Sequence, residues 1–108
     1  MRKDNLKKKF EKLALKWYED TCIHSNPEII NSHPNCEKLI KMGEPIIPFI
    51  LEDIKNSKYG DWGYILKTIS REDPVPRHHY GFYNSMRDDW LAWGKNKGYI
   101  SYTEIRVN

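Results

Sequence analysis

Cys22, His24, His33 and Cys36 stand in the pattern C-x-H-x8-H-x2-C, two thiols and two imidazoles in one short stretch. Thiolate sulfur and imidazole nitrogen are the ligands that structural Zn²⁺ takes in four-coordinate sites. The spacing is not that of a familiar finger or knuckle. Side chains at i and i+2 diverge on a helix, so Cys22 and His24 would share a metal only from a turn or an extended segment. Each residue also has a plainer duty: a cysteine fills a small buried space, and His33, directly before Pro34, can cap a helix. The plainer duties are preferred, and no metal or other cofactor is expected.

Three further groups carry chemistry. His78 and His79 are adjacent and followed by Tyr80, Phe82 and Tyr83, so they offer an acid and base near neutral pH or a metal ligand. Neighbouring side chains tend to point apart, however. Glu72 and Asp73, with Asp88 and Asp89, supply carboxylates of the kind a metal-dependent nuclease uses. Nothing in their spacing gathers them, and a turn and a helix start account for them equally well. Finally, Arg71, Arg77 and Arg87 interleave with the aromatics of "RHHYGFYNSMR", a composition suited to stacking bases or to meeting a protein surface. Burial of two of the three rings beneath the loop is the competing expectation.

Elements must position these groups. Leu6, Phe10, Leu13 and Trp17 fall on one helical stripe with Lys8, Lys12 and Lys16 opposite, which predicts a lysine-rich first helix over about 4–20. Ser25-Asn26-Pro27-Glu28 has the form of a capping box before a short helical turn. His33-Pro34 starts a further helix that Gly43 stops. "EPIIPFILEDIKN" is apolar on more than one side and must be covered on more than one side. Asp61 is placed to cap a helix bearing Trp62, Ile65, Leu66 and Ile69, and Ser85 to cap a last helix bearing Met86, Trp90 and Trp93 up to Gly98. Between them, 71–83 holds two proline breaks and is the longest irregular stretch, the length at which loops are often functional. The tail 99–108 alternates without a strand to pair with and reads as extended and partly packed.

The expected fold is therefore all-α, a single domain over 1–108 of five or six short helices, since 108 residues suffice for one modest core. Four tryptophans spread from Trp17 to Trp93 fit one shared core and argue against a disordered chain. The longest apolar run, Ile46 to Leu51, is far short of the ~20 residues of a membrane helix. No signal-type apolar block follows the basic start. A cytoplasmic setting is expected, where thiols are mostly reduced, although a Cys22–Cys36 bridge stays open. Net charge is +3, and through Lys16 seven bases meet only two acids, so the remainder is mildly acidic.

Trp17, Glu19, Thr21, His33-Pro34, Gly43, Pro48, Ile50-Leu51, Trp62, Asp73-Pro74-Val75-Pro76, Trp90, Trp93-Gly94 and Gly98-Tyr99 form a pattern over residues 17–100. In it the chain resembles an uncharacterised family of small helical bacterial proteins common in cyanobacteria. The middle, G-x-P-x-x-P-x-I-L from Gly43 with the Trp62 helix after it, looks like a HEAT-type helical pair. The resemblance implies a scaffold with a binding face and carries no catalytic residue. The sequence departs from the pattern at Cys22, Cys36 and the histidine pair.

The leading expectation is a non-enzymatic protein-binding module of antitoxin, immunity or phage-interaction type, with Arg71, Arg77, His78, His79, Tyr80, Phe82 and Tyr83 meeting the partner. The alternative is a nucleic-acid-binding module that uses Lys8, Lys9, Lys12, Lys16 and Arg87. A small hydrolase or nuclease ranks last.

Overall fold

The computed structural model describes residues 3–22, 26–56 and 62–100. Six α-helices follow in order: α1 (Lys3–Thr21), α2 (Pro27–Asn31), α3 (Pro34–Met42), α4 (Ile47–Asn56), α5 (Gly63–Ser70) and α6 (Tyr83–Lys97). A 3₁₀ turn, Glu44–Ile46, leads into α4, and another, Arg77–His79, lies within the loop before α6. The all-helical expectation holds: the described residues contain no strand. None of their helices is long and apolar enough to cross a membrane.

The helix boundaries follow from local chemistry. Asn26, not Ser25, caps α2: its side-chain oxygen accepts from the Glu28 amide at 2.9 Å, while Ser25 lies outside the described residues. Asn26 stands directly before Pro27, which needs no partner for a missing N–H. His33 caps α3 as expected, its Nδ1 accepting from the Asn35 amide at 3.0 Å. Gly43 ends α3 and Gly98 ends α6, at φ of 75° and 86° that only glycine adopts without strain. Ser85 does not cap α6. The helix starts at Tyr83, with Phe82, three residues before Ser85, at the cap position and no side-chain hydrogen bond there. The Asp61 cap falls outside the described residues.

One contiguous core joins all the longer helices. From α1 come Phe10, Ala14 and Trp17, from α3 Cys36 and Leu39, and from α4 Ile47, Ile50, Leu51 and Ile54. Trp62 sits between the rings of Phe10 and Trp17, at 5.4 and 4.9 Å between centroids. Such side chains stabilise the fold by roughly 1.5–3 kcal/mol each through burial. Each indole also needs a partner for its N–H. Trp17 donates to the Ile30 carbonyl at 3.0 Å, Trp62 to Asp53 at 2.6 Å, and Trp93 to Glu72 at 3.0 Å.

α3 is pinned to α1 by Asn35, whose side-chain amide donates to the Leu13 carbonyl at 3.1 Å. The expected α4–α5 pair meets through the Trp62–Asp53 bond, while the principal backbone neighbour of α4 is α6 and that of α5 is α3. At the α4–α6 seam Gly94 lies against the Leu51 side chain so closely that a Cβ there would be 2.4 Å from Leu51 Cδ1. Of the tail, Tyr99 and Ile100 pack on the core, Tyr99 stacking on Trp93 at 5.5 Å. The rest of the tail, 101–108, is outside the described residues.

Candidate functional site

The zinc pattern does not assemble among the described residues. Cys36 is fully buried on α3 within the core, and Cys22 is exposed after α1; both are free thiols. Burial pushes the Cys36 thiol pKa up, away from the thiolate that a metal requires. His33 has both ring nitrogens engaged: Nδ1 accepts from Asn35, so Nε2 carries a proton and donates to Asp20 at 2.7 Å. His24 is outside the described residues, among which no cluster of ligand-type side chains is placed to hold a metal.

The carboxylates of 72–89 separate in the same way. Glu72 accepts from Trp93 Nε1 and pairs with Lys97 at 2.7 Å. Asp73 accepts from the Val75 amide at 3.1 Å and from the Tyr80 hydroxyl. Asp89 takes the His79 ring at 2.6 Å, and Asp88 is exposed beside Arg87. Glu72, Asp73 and Asp89 thus each have their own partner, Asp88 faces solvent, and the two-metal arrangement is absent from this group.

Those same bonds show what the loop 71–83 is. It opens at Arg71, a non-glycine residue in the left-handed region at φ 63°, a conformation that costs a β-carbon roughly 1–2 kcal/mol. Glu72 then ties the loop to the far end of α6, Asp73 closes a turn onto Val75, and Val75 is buried in the core. His79 ties its middle to Asp89 of α6, with the His78 ring edge-on at 4.5 Å instead of pointing away. The Tyr80–Asp73 bond cross-links the loop to itself. These ties shift the titrating groups. Lys97 and Trp93, by hydrogen bonds, hold the Glu72 carboxyl below its ordinary value. Burial works to raise Asp73, but the bonds from Tyr80 and Val75 and the charge of Lys67 bring it below. Tyr80 is raised, first by its bond to Asp73.

A loop fastened at so many points holds its side chains in place before any ligand arrives. Phe82 is 64% exposed, Tyr80 49% and Tyr83 44%, so all three rings face solvent, contrary to the expectation that two are buried. Arg71, Arg77 and His78 are exposed on the same loop, and His79 is half-buried against Asp89.

Beneath the loop runs a half-open cleft of about 380 Å³, at the small end of the range for ligand pockets. Its walls are Tyr80 and Tyr83 from the loop side, Tyr64 and Lys67 from α5, and Met86, Arg87 and Trp90 from α6. Sequence reasoning missed Tyr64, Lys67, Met86 and Trp90 as site residues: Met86 and Trp90 read as part of a packing stripe, and Tyr64 and Lys67 fall outside the stripe of their helix. The available signal was Tyr64 and Lys67 at i and i+3, an aromatic and a cation on one side of α5.

Of the lysine-rich set, Lys8, Lys9 and Lys12 are exposed on α1. Lys16 pairs with Asp20 at 3.2 Å, and Arg87 stands apart from that helix, in the cleft on α6. No protein-family model matches this chain, and neither a curated protein nor a solved structure matches it.

Proposed function

We propose that the chain is a non-enzymatic protein-binding module, of the antitoxin, immunity or phage-interaction type, built on a HEAT-like helical scaffold and working in the cytoplasm. The partner docks on the 71–83 loop and the cleft below it. One observation carries this reading: Tyr80, Phe82 and Tyr83 remain solvent-exposed on a loop that is fastened to α6 and to itself. Large exposed rings on a preorganised support are what interface anchors require, since their ordering cost is already met by the fold. Separate partners for every carboxylate of the loop, and for both nitrogens of His33, fit a binding role better than a catalytic one.

The test is purification of the tagged protein from its native host. A stoichiometric protein complex is expected, and Phe82→Ala/Tyr83→Ala should weaken it by about tenfold or more while circular dichroism stays unchanged. A complex indifferent to both substitutions would remove the loop from the interface, and the absence of any stoichiometric protein would count against the reading.

Nucleic-acid binding is the second reading, supported by Lys8, Lys9 and Lys12 exposed together on α1. It requires binding that weakens steeply with salt.

A further inference from the structure

The cleft has an electrostatic asymmetry that says what would fill it. Its walls are largely apolar, and two cations line it, Lys67 and Arg87, against one carboxylate, Asp73. Both oxygens of Asp73 are already used, one by the Val75 amide and the other by the Tyr80 hydroxyl. Arg87 is in the opposite state. Its side chain is 31% exposed and forms an ion pair with Asp88 Oδ1 at 3.7 Å, but its Nε is buried and, among the described residues, has no hydrogen-bond partner, Asp88 being too far to accept. A buried donor without an acceptor is destabilising, and a ligand bearing an acceptor relieves that cost. Lys67 Nζ lies 5.7 Å from the Tyr80 ring centroid, at the mouth the rings form.

We propose that the cleft is the docking site for an acidic segment of the partner, with one aromatic or large aliphatic side chain inserted among Tyr64, Tyr83, Met86 and Trp90 and an adjoining carboxylate on Arg87. This rests on the protein-binding reading and adds the chemistry of the partner's segment to it. The small volume suits a single anchor side chain, and the cations of the cleft choose an acidic neighbour for that anchor. Guanidinium suits this choice because its planar donors meet a carboxylate in two places, which a lysine ammonium does not do.

The experiment uses the full chain and three blocked synthetic pentapeptides. One has a central phenylalanine flanked by aspartate and glutamate, the second carries asparagine and glutamine in their place, and the third is acidic with a central alanine. Binding is followed by two-dimensional NMR at the backbone amides of Gly63, Gly81 and Arg87. The acidic phenylalanine peptide should shift these signals and bind about tenfold tighter than either of the others. Arg87→Met should abolish its preference over the amide peptide, while Lys38→Met, at an exposed position on α3, leaves it intact. Equal binding of the acidic and amide peptides would overturn the acidic assignment and leave protein binding by the loop standing. So would no shift with any peptide, and so would a wild-type chain that self-associates through the cleft, seen as concentration-dependent sedimentation lost in Arg87→Met. Loss of the native complex in Phe82→Ala, whose ring is not a wall of the cleft, by contrast judges the protein-binding reading alone.

Discussion

The outer face of α1 and the cleft beneath the loop are both basic, and they differ in what their charges meet. Lys8, Lys9 and Lys12 extend into water, and their neighbours Lys7 and Lys16 reach carboxylates of Glu52 and Asp20 at 3.6 and 3.2 Å. Arg87 has its Nε out of water with no acceptor in hydrogen-bond range. A hydrated ammonium gains little from a ligand, because water already solvates it and salt screens the attraction. A desolvated donor gains a full hydrogen bond. Density of charge in the sequence is thus a weaker guide to a site than a buried donor left without an acceptor.

The largest effect should come from loosening the seam that carries the cleft. Gly94→Ala drives a methyl into Leu51 Cδ1, and Leu51 is fully buried, so either its side chain must repack within the core or α6 must move off α4. A loss of about 1–3 kcal/mol in urea denaturation is expected, with weaker partner binding at the cleft and no change on the face of α1. An unchanged midpoint would mean that the seam yields without cost.

A smaller effect, and the one that separates the two basic surfaces, is expected from Lys8→Glu, Lys12→Glu and Lys16→Glu together. The protein complex should survive within about twofold, since exposed charges far from an interface act mainly on encounter rates. Retardation of a duplex or a single strand by the wild type at low salt, abolished in the triple variant, would transfer the function to α1.

The smallest effect concerns the tie that holds the cleft wall. Tyr80 has its pKa raised by the bond to Asp73 and then by burial. A raised folded value means that the bond adds stability below the ordinary tyrosine value of about 10 and loses it as pH rises through the higher folded one. Asp73, with its pKa lowered, gives the opposite limb: its contribution is present above the ordinary carboxylate value of about 4 and is lost as pH falls through the lower folded one. Asp73→Asn should therefore let Tyr80 ionise at lower pH in an ultraviolet difference titration. Tyr99, raised by burial and by Glu44, should still ionise late. If both phenols keep their wild-type values, the Tyr80–Asp73 bond is not what holds the loop.

Much of the fold was legible because helices are local objects. The stripe of Phe10 and Trp17, the two-sided apolar run around Ile50, the Pro34 start and the Gly43 and Gly98 stops all act through residues a turn or less apart, and all stand where the sequence put them. Caps were less legible. Ser25 and Asn26 are both capping types and Asn26 serves, whereas α6 starts after Phe82, upstream of Ser85, with no side-chain cap. The cleft was not legible. Tyr64 and Lys67 reach it from one helix, Met86 and Trp90 from another, and Tyr80 from the loop between, so their meeting depends on how α5 and α6 are set by α3 and α4.

The sequence by itself determined an all-helical chain of five or six helices, their apolar stripes and the basic character of α1, because periodicity, proline and glycine act over single turns. Only the tertiary structure decided that Cys36 belongs to the core and His33 to Asp20 and Asn35, that Tyr80, Phe82 and Tyr83 all stay exposed, and that Arg87 is left without an acceptor. Exposure and hydrogen bonding are set by residues distant in the chain, and no local spacing encodes them.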